Sequence, residues 1–568
     1  MKTVARWLDW QPAQTSQAVR GETDLQGVLE ALEGCGEVAL DVETTGLDPR
    51  RDRVRLLSLA TDRGTWIIDC FRQDPMPVLR ALAGKRVVGH NLKFDLLFLW
   101  GRLPEVRTVD TMLAAQVLEA GREQPVGLGD LAARYLGERV GKELQASDWS
   151  GELSEAQLEY ARRDVEVTLR LWRVLEDRLR AEGLWGTAVV EMRALPAVAW
   201  MEREGITVDA EAWRRLGLEA EAESRRLLGQ LWALTEHVPS LWGVNWDSPS
   251  QVREALRQLG IRVESTREEV LAEHSEQPVV RALLAYRHAR KLASAYGEEL
   301  LRYIHPQTGR IHPRWWQLVS TGRMACREPN LQQLPRDARY RRCFVAADGH
   351  VLVKADYSQI ELRVAAELAG ERRMLEAFGR GQDLHELTAR LVLGVREPGR
   401  EDRQKAKAIN FGLLYGMGAM GLRDYARLAY GVELTAEEAE RLRGRFFETY
   451  SGLRRWHRSQ REGEVATRTL GGRRRLGVSR YTEKLNTPVQ GTAADGLKVA
   501  LGLLWERRGE LGGAPVLAVH DEVVVEVPVE RAEEPTRVLV ACMRQGMERY
   551  LRRVPVEVEV SVGRSWAG

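Results

Sequence analysis

The sequence predicts an α/β domain that ends near residue 185, followed by a larger α+β region that contains a long helical arm. Three observations predict this fold class. Short β-type runs alternate with turns and helical patterns from Glu37 onward, a long helical stretch follows, and strand patterns then flank a second helical block. A chain of 568 residues is too long for one hydrophobic core, so several domains are expected.

The composition is that of an ordinary globular protein. Hydrophobic residues make up 44% and charged residues 29% of the chain, which excludes fibrous and disordered classes. The formal net charge is only +2, so a nucleic-acid surface would need its basic residues segregated locally. Basic clusters occur at 287–291, 336–342 and 473–475, although each cluster alone is more typical of a solvated face.

Cysteine usage and hydropathy bear on the cellular compartment. The five cysteines are scattered and lack paired metal-ligand spacing, which favours a reducing compartment. No apolar stretch approaches membrane-spanning length, and the N-terminus lacks a secretory signal pattern. We therefore expect a cytoplasmic protein with no membrane partner.

The first domain is predicted from three β-type runs and the helices that follow them. The runs EVALDVE, RVRLLSLA and TWIID are separated by turns, and helical patterns cover 77–82 and 110–119. The next region, 189–303, has apolar residues at helical spacing, interrupted by glycine and proline. This region is predicted to form a mobile arm of packed helices.

The remaining chain combines strands with a second helical block. Strand patterns at 309–316 and 350–355 precede a mostly helical block, 361–508, and strand patterns return at 516–527 and 554–562. We expect the strands on both sides of the block to share one sheet, with the block emerging from that sheet as an insertion.

Four acids and a tyrosine form the first group of candidate functional residues. Asp41 and Glu43 stand two apart in a predicted strand, so both carboxylates leave the same face. Asp95 lies on a predicted helix, and Tyr160 and Asp164 are one helical turn apart. Such a cluster suits hydrolysis of a phosphodiester by two divalent metal ions, with Tyr160 orienting the attacking water. Each piece alone is more often a solvated edge or a surface pair, so their combination carries the prediction.

A second group of acids lies at predicted strand ends. Asp356 stands where a strand runs into a helix, and Ser358 to Glu361 form a capping-box pattern. Asp521 and Glu522 are predicted to project from the tip of a hairpin. Two aspartates brought together from strand ends can hold two metal ions around a nucleoside triphosphate, which is the chemistry of nucleotidyl transfer.

A helical stripe lies between these acids in the sequence. Arg403, Lys407, Phe411 and Tyr415 recur every four residues. The cations can hold triphosphate oxygens, and the aromatic rings can pack against sugar and base. An amphipathic helix with its aromatic residues in the core would give the same pattern. The acids on either side favour the functional interpretation.

Two sets of motifs resemble known families. The segments DVETTGLD, NLKFD and YARRD resemble, in this order, the three exonuclease motifs of the DEDD superfamily in its tyrosine-bearing subgroup. The segments DYSQIELR, RxxxKxxxFGxxYG and HDE resemble motifs A, B and C of family A DNA polymerases, the class of bacterial DNA polymerase I. Further matches are TGRMACREPNLQQLP, DLHELTA and NTPVQGTAAD, although MACRE departs from the more polar form typical of bacterial relatives.

The resemblance implies a fold and a division into domains. The fold is an RNase H-like α/β exonuclease domain followed by an α+β right-hand polymerase, with a helical thumb, a palm with an antiparallel sheet and helical fingers. The predicted segments are the exonuclease domain (1–185), thumb (186–308), first palm segment (309–375), fingers (376–500) and second palm segment (501–568). No room remains for the 5′-nuclease domain of bacterial relatives, so cutting of 5′ flaps is not expected.

The resemblance also implies roles for the candidate residues, in a DNA polymerase with 3′→5′ proofreading that uses two Mg²⁺ ions per active site, replaceable by Mn²⁺. The catalytic residues of the polymerase site are Asp356, Asp521 and Glu522, with both aspartates as metal ligands. The metal ligands of the exonuclease site are Asp41, Glu43, Asp95 and Asp164, and Tyr160 is a further catalytic residue. The nucleotide-binding residues are Arg403, Lys407, Phe411, Tyr415, Glu361, His385 and Gln359. The DNA-binding residues are Arg323, Asn486, Gln490 and His520.

The implied partners are primer–template DNA, deoxynucleoside triphosphates and a single-stranded DNA 3′ end, bound by an expected monomer.

Three other functional classes fit the sequence less well. A single-subunit RNA polymerase has resembling motifs, but Glu361, implied to exclude the ribose 2′-hydroxyl, and the intact exonuclease motifs argue against it. An exonuclease with a decayed polymerase region would lack polymerase acids, yet none is missing. A non-catalytic scaffold gives no reason for metal-binding carboxylates at two sites.

Overall fold

The computed structural model describes residues 16–19, 22–141, 144, 147–236, 243–295, 297–335 and 337–568. The strands of its first domain are β1 (Ser16–Val19), β2 (Glu37–Thr44), β3 (Val54–Thr61), β4 (Gly64–Asp69), β5 (Arg86–Gly89) and β6 (Arg107–Asp110). They form one mixed sheet in the order β1-β4-β3-β2-β5-β6. The helices of this domain are α1 (Glu22–Leu32), α2 (Met76–Ala81), α3 (Lys93–Phe98), α4 (Thr111–Glu119), α5 (Leu128–Tyr135) and α6 (Glu155–Ala181).

The centre of this sheet supports the predicted exonuclease residues. β3 is buried along its whole length, which explains its continuous apolar run. β2 is mostly buried too, but Asp41 and Glu43 remain half-buried on one face. α6 begins at a capping box formed by Ser154 and Gln157, and it packs across β2 and β3. Strand β2 and helix α6 are thereby held side by side.

A long helix, α7 (Trp185–Glu204), leads from the first domain to the helical arm. The following elements are β7 (Ile206–Val208), α8 (Ala210–Leu234), α9 (Pro249–Gln258), α10 (Glu268–Ala272), α11 (Pro278–Ala295) and α12 (Glu298–Leu301). α8 and α11 pack against each other, and a separate hydrophobic cluster that includes Leu231, Trp246 and Leu283 fills the arm. A core of its own allows the arm to hold its shape as a unit.

The rest of the chain combines short strands with many helices. The strands are β8 (Arg310–Ile311), β9 (Arg314–Trp316), β10 (Ala325–Arg327), β11 (Phe344–Val345), β12 (His350–Tyr357), β13 (Val465–Arg468), β14 (Arg474–Val478), β15 (Ala514–Val519), β16 (Glu522–Pro528) and β17 (Val558–Gly563). The helices are α13 (Ala338–Arg342), α14 (Ile360–Ala369), α15 (Arg372–Gly379), α16 (Leu384–Thr388), α17 (Arg400–Leu414), α18 (Ala419–Tyr430), α19 (Ala436–Thr449), α20 (Ser451–Arg458), α21 (Tyr481–Glu506), α22 (Arg508–Leu511) and α23 (Glu533–Glu548).

A four-stranded antiparallel sheet in the order β15-β16-β12-β17 is the centre of this region. Val353 in β12 stands opposite Val525 on one side and Val562 on the other, so the middle of β12 lies in the core. Strands from before and after the helical block share this sheet, as predicted. The strand pattern at 309–316 does not join it, because β8 pairs with β7 and β9 pairs with β10. Pro313, which has no N–H to donate, separates these two short strands.

Helix α21 connects the helical block to the sheet. It packs against α7 on one side and against α23 on another. The predicted boundary between the fingers and the second palm segment, at residue 500, falls inside this continuous helix. The division of the chain into palm, fingers and thumb segments stays a prediction.

A buried cluster of charges joins α7 to α21. Glu191 is fully buried and accepts hydrogen bonds from Arg473 at 2.5 Å and Lys498 at 2.6 Å. Arg473 also donates to Asp495 at 2.7 Å. Against the effect of burial, Lys498 and Arg473 hold the pKa of Glu191 below its usual range. The interpretation of the basic cluster 473–475 as a solvated face is therefore wrong for Arg473, because two buried acids draw it into the core.

Replacing Glu191 by glutamine should destabilise the protein by about 3 to 5 kcal/mol, because Arg473 and Lys498 would remain buried without their shared carboxylate. Urea denaturation of the two proteins measures the difference. The matched control is Glu506→Gln, which removes a surface pair with Arg193 and should change stability by less than about 1 kcal/mol. Equal effects of the two substitutions would contradict the role of the buried cluster.

Two further observations concern the cysteines and the hydropathy of the helices. All five cysteines are free thiols, and Cys326, Cys343 and Cys542 are buried. Among the helices in the described ranges, none is both long enough and apolar enough to cross a membrane.

Candidate active sites

The first site lies where β2, α3 and α6 meet. Asp41 and Glu43 come from β2, and Asp95 comes from α3. The backbone N–H of Val42 donates a hydrogen bond to Oδ1 of Asp95 at 2.9 Å, which ties the helix to the strand between the two β2 acids. The sequence prediction that Asp95 lies on a helix is confirmed.

Helix α6 supplies the other two predicted residues. Tyr160 and Asp164 lie one turn apart, and the Tyr160 hydroxyl hydrogen-bonds to the Asp164 carboxylate. The ring of Trp149 packs 6.3 Å from the ring of Tyr160, measured between centroids. Burial and the nearby carboxylates raise the pKa of Tyr160, so the hydroxyl keeps its proton and can act as a hydrogen-bond donor.

Electrostatics indicates that the acids of this site lie close together. Burial, and then the charge of Asp164, raise the pKa of Asp41 to about 8. Burial and the other acids, Asp41 first, raise the pKa of Glu43 to about 9. Burial raises the pKa of Asp164 to about 6. The fold thus concentrates negative charge that a cation would stabilise.

Asp110 supports this site but was missed by the sequence analysis. Its carboxylate accepts hydrogen bonds from the backbone N–H groups of Met112 and Leu113 in α4, and of Asn91 and Leu92 just before α3. One buried acid therefore fixes the start of α4 and the segment that leads to Asp95. An aspartate between a strand and a helix is a sequence signal for an N-cap, but the second pair of donors depends on tertiary structure.

The second site lies at the edge of the four-stranded sheet. Asp356 in β12 stands opposite Glu522 in β16, and Asp521 lies in the turn just before β16. The Tyr357 N–H donates to the Asp521 carbonyl at 3.3 Å, so the chain next to Asp356 meets the chain at Asp521. Burial and then Glu522 raise the pKa of Asp356 to about 6, while burial and then Asp356 raise that of Asp521 to about 8.

Glu522 differs from its prediction. The sequence analysis placed it at a projecting hairpin tip, but it is the first residue of β16 and its side chain is buried. Its carboxylate accepts a hydrogen bond from the indole N–H of Trp566, and Arg341 lies 3.7 Å from it. Arg341 also stacks over the Trp566 ring at 4.5 Å. The C-terminal segment folds back so that Trp566 binds the Glu522 carboxylate. The hairpin pattern in the sequence does not include this segment, so it could not predict the contact.

Glu361 also differs from its prediction. The residue that precedes α14 is Gln359, in a left-handed conformation with φ 51°, and no side chain caps the helix. The predicted capping box with Ser358 is therefore wrong. The Glu361 carboxylate instead accepts hydrogen bonds from Arg323 at 2.6 Å and from the Tyr415 hydroxyl. The carboxylate is therefore bound by two residues distant in sequence and not by the backbone at the helix start.

The predicted stripe lies along α17, and Tyr415 is the residue just after the helix. Arg403 donates two hydrogen bonds to Oδ2 of Asp383, at 2.9 and 2.7 Å, and Lys407 is exposed. The Phe411 ring lies 5.8 Å from the ring of His385 on α16. The stripe therefore has a cationic end and an aromatic end, as predicted.

The remaining predicted residues lie on segments that also carry other predicted residues of this site. Gln490 on α21 hydrogen-bonds to Tyr415. Oδ1 of Asn486 and Oε1 of Gln359 are buried without a hydrogen-bond partner, so both amides have an unused acceptor. His520 is exposed in the turn beside Asp521, with a positive φ of 59°. The predicted side chains of this site come from six separate segments of the sequence, at 323, 356–361, 385, 403–415, 486–490 and 520–522.

Both sites have the donor chemistry that divalent cations such as Mg²⁺ prefer. In the part of the chain that the structure describes, no group of three or more His, Cys, Asp or Glu side chains is already arranged so that it could hold a metal ion. Each site nevertheless offers clustered carboxylate oxygens, which are hard ligands. Oδ1 of Asp164 and Oδ1 of Asp356 are buried with no hydrogen-bond partner, as expected of atoms that can accept a cation. The residues present therefore fit divalent metal ions.

The two acidic sites indicate a nuclease domain joined to a polymerase region. Comparison with known proteins agrees with this class of protein. Residues 217–568 match the family described as DNA polymerase family A, and residues 16–180 match the family described as 3′-5′ exonuclease. The chain belongs to DNA polymerase family A and carries a 3′-5′ exonuclease domain.

Individual relatives are similar over most of this chain. DNA polymerase I from Aquifex aeolicus (strain VF5) is 37% identical, over 96% of this chain and 99% of that protein. The thermostable DNA polymerase I from Thermus thermophilus is 36% identical over 90% of this chain, which spans only 61% of that relative. A solved structure of the POL domain of Pol1 from M. smegmatis, in complex with DNA primer-template and dNTP, matches with a TM-score of 0.83 at 27% identity, covering 97% of this chain and 99% of that one.

Proposed function

We propose that this chain extends the 3′ end of a DNA primer along a template, and that it removes misincorporated nucleotides from the same end by 3′→5′ hydrolysis. One observation carries the polymerase proposal. Glu361 bonds to Tyr415 at the end of the α17 stripe, and its charge also raises the pKa of Asp521. These two links support placing the acid pair and the α17 stripe in one site.

Asp356 and Asp521 would hold two divalent ions, Mg²⁺ or in its place Mn²⁺, which would supply activation of the primer 3′-hydroxyl and neutralisation of the triphosphate. The protein's own contribution is to hold the two carboxylates at adjoining strand ends, where burial keeps water from screening them. Glu522 is fixed by Trp566 and contributes negative charge beside Asp356 without projecting into the site.

Arg403 and Lys407 would bind the oxygens of the incoming triphosphate. Arg403 is held by Asp383 and is partly exposed, so it can exchange this partner for phosphate. Phe411 and Tyr415 would line the pocket for the sugar and base, with Gln359 beside it.

Arg323, Asn486, Gln490 and His520 would contact the primer–template. The unused acceptor of Asn486 and the partly exposed positions of Arg323 and Gln490 around Glu361 and Tyr415 support this assignment. The M. smegmatis structure, described as a complex with primer-template DNA and dNTP, supports the same class of substrate.

Replacing Glu361 by alanine should raise the incorporation of ribonucleotides by about tenfold to a hundredfold. The glutamate side chain would occupy the space that a ribose 2′-hydroxyl needs, and alanine would leave that space open. Competition between ribo- and deoxynucleoside triphosphates in primer extension measures this ratio. Glu361→Gln is the matched control, since it keeps the volume and removes the charge, and it should retain discrimination. An unchanged ratio in Glu361→Ala would refute the steric role.

In the exonuclease domain, Asp41, Glu43, Asp95 and Asp164 would hold the divalent ions, which would supply an activated water and stabilise the leaving oxygen. The protonated Tyr160 hydroxyl would orient that water. The substrate is the single-stranded 3′ end of DNA, and we propose that the enzyme works as a monomer.

The decisive experiment is primer extension with Mg²⁺ on DNA and RNA templates, with deoxy- and ribonucleoside triphosphates supplied separately. Extension of DNA with deoxynucleotides supports the proposal. Extension with ribonucleotides alone would identify an RNA polymerase. Degradation without extension would identify a dedicated exonuclease. The absence of both activities would favour a non-catalytic nucleic-acid-binding scaffold.

A further inference from the structure

A chain of buried hydrogen bonds runs behind the nucleotide-binding stripe. The Tyr450 hydroxyl lies 2.7 Å from Oγ1 of Thr388 on α16. Thr388 donates to Oδ1 of Asn410 on α17 at 2.9 Å, and Nδ2 of Asn410 lies 2.8 Å from Nδ1 of His385. The chain thus connects α16, α17 and the residue at the end of α19.

Three of these groups are fully buried, and the fourth, His385, keeps a small exposed fraction. Thr388, Asn410 and Tyr450 are 0% exposed, and His385 is 2% exposed. Buried polar groups must satisfy one another, because the free-energy loss from an unpaired one is large. Leucine or alanine would fill this space without that risk, so a polar chain at this place needs a reason beyond packing.

The donor-to-acceptor direction of these hydrogen bonds determines which ring nitrogen of His385 carries the proton. Thr388 donates to the Asn410 oxygen, so the Asn410 amide is left to donate through its Nδ2–H group. Nδ1 of His385 is then an acceptor, and a neutral imidazole whose Nδ1 accepts must carry its proton on Nε2.

The surroundings of His385 favour a neutral ring. Burial lowers the pKa of His385 to about 4, and the cations Arg403 and Lys407 act in the same direction, whereas Asp383 opposes them. At neutral pH the ring therefore has one proton, and its position depends on the hydrogen bond that Asn410 makes. His385 lies next to Phe411 in the stripe assigned to the incoming nucleotide.

We propose that Asn410 is a positioning residue that fixes the Nε2–H tautomer of His385, so that this ring donates a hydrogen bond to an anionic oxygen of the incoming nucleoside triphosphate. Thr388 and Tyr450 orient the Asn410 amide. This inference rests on the proposed polymerase function and assigns a role to residues outside the predicted nucleotide-binding set.

Substitutions along the chain test the proposal by steady-state kinetics of primer extension. Asn410→Leu should raise KM for deoxynucleotides about tenfold and change kcat much less, because a hydrogen bond to a charged group is lost. Thr388→Val should have a smaller effect in the same direction, and Tyr450→Phe a smaller one still. Thr235→Val, which removes a buried hydroxyl bonded to the Leu231 carbonyl in the helical arm, is the matched control and should leave KM unchanged.

A double-mutant cycle separates positioning from a general loss of structure. In a His385→Ala enzyme, adding Asn410→Leu should change KM by less than about twofold, since the residue that Asn410 orients is already absent. A further tenfold rise in KM would show that Asn410 acts independently of His385 and would overturn the proposal.

The tautomer itself is observable in the wild-type enzyme, and a substitution is needed only to assign the signal. Nitrogen-15 spectra of the selectively labelled histidines, with the His385 signal assigned by its loss in His385→Ala, should show protonated Nε2 and unprotonated Nδ1 at neutral pH. A protonated Nδ1 would overturn the proposal even in an active polymerase. A wild-type chain that fails to extend primers would refute the proposed function instead, so the two failures are distinguishable.

Discussion

Replacing Asp521 by asparagine should lower the rate of primer extension by at least about a thousandfold. The amide keeps the shape of the side chain but loses the negative charge that Asp521 and Asp356 share, and stabilisation by a bound metal ion is worth several kcal/mol. Single-turnover extension of a labelled primer measures the effect. Degradation of single-stranded DNA by the same variant should be unchanged. The acids assigned to that activity lie in the separate site formed by β2, α3 and α6.

Asp348→Asn is the matched control for this substitution. Asp348 lies just before β12, is fully exposed and pairs loosely with Arg564. This control should extend primers at the wild-type rate. An Asp521→Asn enzyme that extends nearly as fast as this control would remove the basis of the polymerase assignment.

Replacing both Asp41 and Glu43 by alanine should reduce the 3′→5′ degradation of single-stranded DNA by about a thousandfold or more. The two side chains leave one face of β2, and burial together with neighbouring carboxylates raises their pKa values to about 8 and 9, so their removal disperses the charge cluster that would bind cations. The measurement is shortening of an end-labelled strand over time. Primer extension should persist, and misincorporated ends should survive longer.

The control for the exonuclease variant is Asp62→Ala. Asp62 lies in the turn between β3 and β4, is largely exposed and pairs with Arg173. Its loss should not change degradation. Equal degradation by the wild type and the double variant would mean that the acids of β2 do not serve hydrolysis.

Periodicity was sufficient for the parts of each site that one element carries. The spacing of two in a strand placed Asp41 and Glu43 on one face of β2, and the spacing of four in a helix aligned Arg403 with Lys407. Periodicity did not predict the hydrogen-bond partner of a side chain where a distant residue competes with a local one. Glu361 fits a capping box by sequence, yet Arg323 and Tyr415 take its carboxylate.

The sequence by itself determined the order of the α/β domain, the helical arm and the strand-flanked helical block, because local periodicity and turn residues set each element. It also determined which acids and cations are available, since their identities are fixed before folding. Only the tertiary structure decided that Trp566 binds Glu522, that Arg473 lies in a buried charge cluster, and that Asn410 meets His385. These contacts join residues far apart along the chain, and the desolvation of charges and amides, which selects their partners, arises only when the elements pack.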